Sequence, residues 1–383
     1  MHILMVSTDD SVFKQPDEIG NTRTRLRDYL RRLNDIEPGS MITDLVSTRN
    51  LYKELTLNEG LKFIPVHVPT SLLFPLSGLF IALRKITPVP DLVTSQNPFE
   101  AGLLAWILSL IYHIPLEIQV HLNLFSPYWL SEHRWLNKLR LSLAKFLTKR
   151  ARVIRVVQSS LQKSMIGSWH LPPESVSLIP VPVFLNINAG INNSVQKYKF
   201  EVGRKFILFI GRLCFAKNLP GLFSIIEKIL NSRKDVDFLI IGDGIDRDFV
   251  HSKISKLGID NIHWLGHLSY NMLPYYYKNA SIVVLPSLYE GFGRVLVEAY
   301  LCGTPAVATR CGGPEDIIID QQTGFLTDIE DIDGFSDKVN WMLDHPEEAR
   351  RMGQHGREHV INQFNPEILA DDIVKQWQKT AKR

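Results

Sequence analysis

Residues 281–314 read SIVVLPSLYEGFGRVLVEAYLCGTPAVATRCGGP. The β-branched run at 281–285 predicts a buried strand. A loop follows with Pro286, Ser287, Glu290 and the turn Gly291-Phe292-Gly293. A helix is expected from about Arg294 to Cys302, and a second strand at 305–309. Strand, helix and strand in one short span argue for parallel α/β architecture. The same alternation extends outward through strands at 206–210, 237–241 and 262–265. In the first half it predicts strands at 3–6, 42–46, 63–68, 92–95, 116–120 and 153–157. Helices are expected at 22–33, 101–112 and 135–149.

Residues 180–205 interrupt the pattern with Pro180, Pro182, Asn186, Asn188, Gly190, Asn192 and Asn193, the chemistry of a linker. The expected organisation is therefore a domain at 1–190, a domain at 191–364 and a closing helix at 365–383. Asn365 suits the cap of that helix and Pro366 its first turn, and Leu369, Ile373 and Trp377 share one face. The chain has 383 residues, 45% hydrophobic and 22% charged, a soluble globular balance that excludes disordered and fibrous classes. Its 43 Lys and Arg against 40 Asp and Glu leave +3, too little to imply nucleic acid. Three cysteines, Cys214, Cys302 and Cys311, form no CxxC and no disulfide framework, which points to a reducing, cytoplasmic setting without structural zinc. The opening MHILMVSTDD lacks the pattern of a signal peptide. The uncharged run at 101–116 is broken by His113 and Pro115, short of the ~20 residues a spanning helix needs.

Glycines beside a helix start leave backbone N–H groups open to a phosphate. Glu290 and Glu298 would lie ~80° apart on one continuous helix, but the Gly-Phe-Gly turn separates them. Both can face one ligand, or both can be surface carboxylates favoured by the helix dipole; spacing alone leaves these readings open. Upstream, FILFIGR at 206–212 ends a strand at Gly211, with Arg212 and Lys217 beyond it. Ligands of open α/β sheets bind outside strand carboxyl ends, and an Arg fork with a Lys point charge suits a diphosphate. Gly242-Asp243-Gly244 is a third strand-end turn, and no GxGxxG follows it or the first strand, which counts against a dinucleotide oxidoreductase.

In order, Gly211-Arg212, Lys217-Asn218, Gly242-Asp243-Gly244, Leu265-Gly266, Pro286-Ser287, Glu290-Gly-Phe-Gly, Glu298-Ala299, Gly303-Thr304-Pro305 and Gly312-Gly313 resemble the retaining family-4 glycosyltransferases of the GT-B fold, whose mark is Glu-x7-Glu. The resemblance implies two Rossmann-like domains facing across a cleft, with the closing helix crossing back to the first. It implies a nucleotide diphosphate sugar as co-substrate on the second domain, without a metal. Arg212 and Lys217 would then neutralise the diphosphate, backbone near Phe292 and Gly293 would hold phosphate and sugar, and Glu298 would take the ribose. Glu290 would contact the transferred hexose, with Gly211, Gly242 and Leu268 completing the donor site beside the base. In the first half, the segments 94–102 and 118–121 resemble the same family's acceptor domain. His121 follows a strand there, which implies a histidine near the reaction centre.

The chain departs from the family in two places. The stretch 7–19 has no glycine where relatives carry a pair, and Leu122-Asn123 stands where many are acidic. Residues 134–155 carry eight Lys or Arg and no acid, with Trp135 and several leucines between them. Such a helix either lies on an anionic membrane through 134–152 or packs its leucines inward with solvated lysines. The expectation is a cytoplasmic or peripheral membrane hexosyltransferase acting on a glycan, polysaccharide precursor or lipid-linked acceptor. The same-fold alternatives are a nucleotide-sugar epimerase and a phosphorylase; an inactive partner subunit is a third.

Overall fold

The computed structural model describes residues 1–13, 22–57, 60–189, 198 and 203–382. The elements run β1 (His2–Ser7), α1 (Thr22–Ile36), β2 (Met41–Thr48), β3 (Leu55–Leu57), β4 (Leu61–His67), α2 (Phe74–Lys85) and β5 (Leu92–Ser95). Then come α3 (Glu100–Tyr112), β6 (Leu116–Val120), α4 (Pro127–Glu132), α5 (Arg134–Thr148), β7 (Val153–Val156), α6 (Ser159–Trp169) and β8 (Val176–Leu178). After the linker follow β9 (Lys205–Ile210), α7 (Leu219–Ser232), β10 (Val236–Ile241), α8 (Arg247–Leu257), β11 (Ile262–Gly266), α9 (Leu273–Asn279) and β12 (Ile282–Leu285). The chain ends with α10 (Arg294–Leu301), β13 (Ala306–Thr309), α11 (Pro314–Ile317), β14 (Gly324–Thr327), α12 (Ile332–Asp344), α13 (Pro346–Gln363) and α14 (Pro366–Ala381).

Two compact units result. The first holds Met1–Phe125, His133–Pro182 and Pro366–Arg383; the second holds Ser126–Glu132 and Val183–Asn365. The first unit's sheet has the order β3-β4-β2-β1-β5-β6-β7-β8, parallel except for the β3–β4 pair. The second has the order β11-β10-β9-β12-β13-β14, parallel throughout. Continuous buried runs such as FILFI on β9 and IVVL on β12 suit strands covered on both faces. The helices α7 and α12 supply one cover, packing Leu222, Ile226, Ile229, Phe335 and Val339 onto Phe209, Phe238 and Val284.

The units divide differently from the expected boundary at 190, a residue that lies outside those described. Arg155 is buried and donates to the carbonyls of Ile179 and Pro180, both at 3.0 Å, which ties the chain to the first unit nearly to Pro182. The short α4 joins the second unit because Tyr289 Oη donates to Glu132 at 2.5 Å and Tyr128 Oη to Glu330 at 3.0 Å. The closing helix α14 belongs to the first unit. There Trp377 is fully buried against Tyr29, and Arg32 on α1 binds the carboxylates of Glu367 and Asp371. Of the expected glycine-free loop at 7–19, residues 14–19 lie outside the described residues.

Candidate functional site

In the second sheet, crossovers run β9 to β10 to β11 on one side and β12 to β13 to β14 on the other. The order reverses between β9 and β12, so their carboxyl ends part there and leave a crevice. The expected residues Gly211, Arg212 and Lys217 leave β9 at this point, and Ser287 and Glu290 leave β12.

Glycines let these loops pass closely. Gly242 has φ +139°, and a Cβ on it would fall 1.9 Å from the carbonyl oxygen of Gly211. At Gly244 a Cβ would lie 2.1 Å from that of Leu213. Lys217 ends a short 3-10 turn, and Asn218, in the left-handed region, caps α7 by accepting from the N–H of Gly221 at 3.2 Å. Leu288 N–H donates to the carbonyl of Ala216 at 2.8 Å, joining the two loops.

The ammonium of Lys217 is therefore seated on the Glu290 carboxylate, which also accepts from Ser287 Oγ at 2.8 Å. Both side chains of the pair are mostly buried, at 15% and 12% exposure. Arg212 is exposed beside this pair's loop. Thr309 Oγ1 fixes the Glu290 loop from beneath by donating to the carbonyl of Ser287 at 2.6 Å. Gly293, at φ +92°, turns the chain into α10, and the Phe292 ring is packed on Phe364, so at this position only backbone is offered to a ligand.

Glu298 sits inside α10 and is 3% exposed. It accepts from Tyr270 Oη at 3.0 Å, Tyr277 Oη at 2.8 Å and Arg294 at 3.4 Å. Burial and the adjacent Glu298 charge push both phenols well above their usual range, so they remain protonated donors. Glu290 and Glu298 thus stand apart, one on the loop and one on the helix, each with its own partners. Sequence reasoning missed Tyr270, Tyr277 and Arg294; the i, i+4 spacing of Arg294 and Glu298 was the available signal. Leu268, two residues beyond β11, is buried.

His121 belongs to the first unit, directly after β6. Its Nε2 lies 3.0 Å from Gln119 Oε1, an acceptor, so Nε2 carries the proton and Nδ1 is left as an acceptor. Burial and then the charges of Arg155 and Arg25 hold its pKa down to about 3, so the ring is neutral at physiological pH. Gln119 also donates to Thr94 at 2.9 Å and accepts from Arg155 at 3.3 Å. The buried network Thr94–Gln119–Arg155 that orients His121 was not singled out from the sequence.

Comparisons with known proteins match both halves. Residues 191–359 match the model for glycosyl transferases group 1, and residues 45–182 match the model for a glycosyl transferase 4-like domain. The 2-deoxystreptamine N-acetyl-D-glucosaminyltransferase of Niallia circulans is 30% identical over 177 residues, 46% of each chain. The D-inositol 3-phosphate glycosyltransferase of Corynebacterium glutamicum is 23% identical over 94% of this chain and 87% of its own. The match spans about half the length of the first of these curated relatives. Among solved structures, sucrose-phosphate synthase from Thermosynechococcus elongatus superposes with a TM-score of 0.84 at 20% identity, over 99% of this chain and 98% of its own. Anabaena HepE in complex with UDP-glucose superposes with a TM-score of 0.74 at 18% identity, over 99% and 100%.

Proposed function

Since the chain belongs to the group 1 glycosyl transferases and has their GT-B fold, we propose that it moves a hexose from a nucleotide diphosphate sugar to a hydroxyl acceptor with retention of anomeric configuration. The observation that carries this reading is the Lys217–Glu290–Ser287 cluster at the crevice between β9 and β12. Lys217 and Arg212 take the diphosphate, and their fixed charge stabilises the departing nucleoside diphosphate without a metal. Backbone at Phe292 and Gly293 lies against the phosphate, and Gly211, Gly242 and Leu268 border the nucleoside. A ribose hydroxyl reaches Glu298 by taking the place of Tyr270, the half-buried one of its two phenol partners.

Glu290 accepts from hydroxyls of the transferred sugar, and neutral His121 receives a hydrogen bond at Nδ1 during transfer. Retention without an evident nucleophile places the acceptor on the same face as the leaving group. Nuclear magnetic resonance of the product tests this: the new bond keeps the donor's anomeric configuration, and an inverted product refutes it. Release of an altered nucleotide sugar without acceptor identifies an epimerase instead.

The acceptor is a glycan or lipid-linked precursor met at an anionic membrane surface. In the first unit, α3 lies between α2 and α5, with Gly78 against Leu104 and the Trp106 ring 5.3 Å from that of Phe146. The helix α5 buries Asn137, Ala144 and Leu147 but exposes Trp135, Leu139 and Phe146. Leu76, Phe80 and Leu83 on α2 and Leu110 and Ile111 on α3 are also exposed. The sole carboxylate of these three helices, Glu100, is buried and paired with Arg140 at 2.6 Å. Arg84 and Arg150 lie over the rings of Phe80 and Phe146 at 3.7 and 3.5 Å. Apolar side chains framed by cations suit an anionic lipid surface.

Among the described residues no helix is long and apolar enough to cross a membrane. Sedimentation with vesicles checks the surface. The chain binds phosphatidylglycerol vesicles over phosphatidylcholine ones, and Lys138→Glu with Lys145→Glu weakens binding by about tenfold or more, each Lys near the surface counting ~1 kcal/mol. Equal binding to both vesicle types contradicts it.

A further inference from the structure

The other end of the second sheet holds a separate concavity. Lys205, Ser281 and Pro305 stand at the amino ends of β9, β12 and β13, opposite the strand ends that carry Gly211, Gly242 and Ser287. A cavity of about 470 Å³ opens there, bounded on one side by α13. That is within the ~300–1,000 Å³ typical of small-molecule sites.

Its lining includes Lys205, Lys278, Arg350 and Arg357 and no Asp or Glu. Lys205 is already engaged, donating to the carbonyl of Leu343 at 2.9 Å and standing 3.3 Å from Asp235. Lys278, Arg350 and Arg357 form no ion pair among the described residues. The first-turn acids of α13, Glu347 and Glu348, are exposed and lie outside the lining. Like charges gathered around one concavity without carboxylates raise its positive potential and favour an anionic occupant. Two guanidinium forks with an ammonium match the oxygens of a phosphate.

The wall is preformed rather than loose. A Cβ on Gly353 would fall 2.2 Å from the carbonyl oxygen of Gly303, and one on Gly356 2.5 Å from the Tyr300 ring. The two glycines thus seat α13 directly on α10 and on the turn after it. Cys302, Gly303 and Thr304 of that turn line the cavity. The Cys302 thiol, pushed up to about 12 by burial, stays neutral and adds no competing negative charge.

We propose that this cavity binds the phosphate of a small phosphorylated metabolite, a sugar phosphate or a nucleoside monophosphate, at a site separate from Arg212 and Lys217. Its occupant presses on the turn after α10, and Glu298 lies one helical turn before Cys302. The second unit therefore carries anion-binding groups at both ends of its sheet. The inference stands on these residues whichever sugar the chain transfers.

Calorimetric titration of the full chain with inorganic phosphate, glucose 6-phosphate and AMP tests it, using wild type, Arg350→Ala/Arg357→Ala, and Lys217→Ala. At least one organophosphate gives a saturable isotherm in wild type, and the preferred one tells sugar phosphate from nucleotide. The double variant weakens that binding by about tenfold or more, since two charge-assisted contacts are lost. Lys217→Ala leaves it within about twofold, a margin small against the 1.4 kcal/mol of a tenfold change. Because both arginines are exposed, the double variant melts with the wild type, and Arg350→Lys/Arg357→Lys recovers part of the affinity. Absence of saturable binding by all three probes overturns the proposal. So does equal affinity in the double variant, or loss of binding on Lys217→Ala, which would move the anion to the opposite strand ends.

Discussion

Glu290→Gln lowers kcat for sugar transfer by about 10²–10³-fold while leaving donor affinity unchanged or tighter. Lys217→Ala lowers transfer at least as far, but weakens the donor by about tenfold or more. The opposite signs on affinity follow from the pair. In the structure the ammonium of Lys217 is held on the Glu290 carboxylate, with Ser287 on the same oxygen. An arriving diphosphate must share that ammonium with Glu290. A neutral amide in place of the carboxylate would release Lys217 to the diphosphate, whereas loss of Lys217 leaves a mostly buried carboxylate facing the donor's negative charge. Steady-state kinetics with donor as the varied substrate, alongside direct donor titration, reads both effects. Equal kinetics of wild type and Glu290→Gln would remove Glu290 from the reaction.

The second large effect is on stability. Trp377→Ala costs about 3–5 kcal/mol, the range for deleting a large buried aromatic, and lowers melting of the first unit by about 10 °C. Trp377 is fully buried on α14, edge-to-face with Tyr29 at 5.6 Å between ring centroids. It also lies with Gln376 and Arg155 around Glu117, whose carboxyl burial raises to about 7. A carboxyl with a folded pKa above its unfolded value near 4.5 contributes stability below that value, and the contribution is lost as pH rises through about 7. The bonds of Arg32 to Glu367 and Asp371 fasten the start of the same helix. Thermal melting followed by circular dichroism checks the Trp377 result; a loss under about 1 kcal/mol would mean that α14 is an appendage.

Much of this architecture was legible because parallel strands buried on both faces are continuous apolar runs. The strands at 92–95 and 116–120 were read to the residue, and β9, β10 and β12 to within one. Elements whose signal was split escaped. The helix α2 hides behind Pro75 and Gly78, yet Pro75 lies in its first turn and Gly78 is where Leu104 of α3 packs. The strands β3 and β8 are three residues long, too short for a period to register.

At the candidate site, the strand-end glycines were readable from the sequence, and Lys217 and Glu290 each stood out through the family resemblance, but the ion pair between them was not. Tyr270 and Tyr277 come from other segments and meet Glu298 only through folding. The anchoring of α4 in the second unit by Tyr289 and Glu132, 157 residues apart, had no local signal at all.

The proposed function requires that the second unit hold a nucleotide diphosphate sugar through Lys217. A thermal-shift titration of wild type and Lys217→Ala with UDP-, GDP-, ADP- and dTDP-sugars tests it most directly. A ligand at about 100 times its Kd stabilises the folded state by about 2.7 kcal/mol. One base class raises the wild-type melting temperature by several degrees, and Lys217→Ala abolishes most of that shift at the same concentration. No shift with any of the four, or an undiminished shift in the variant, would contradict it.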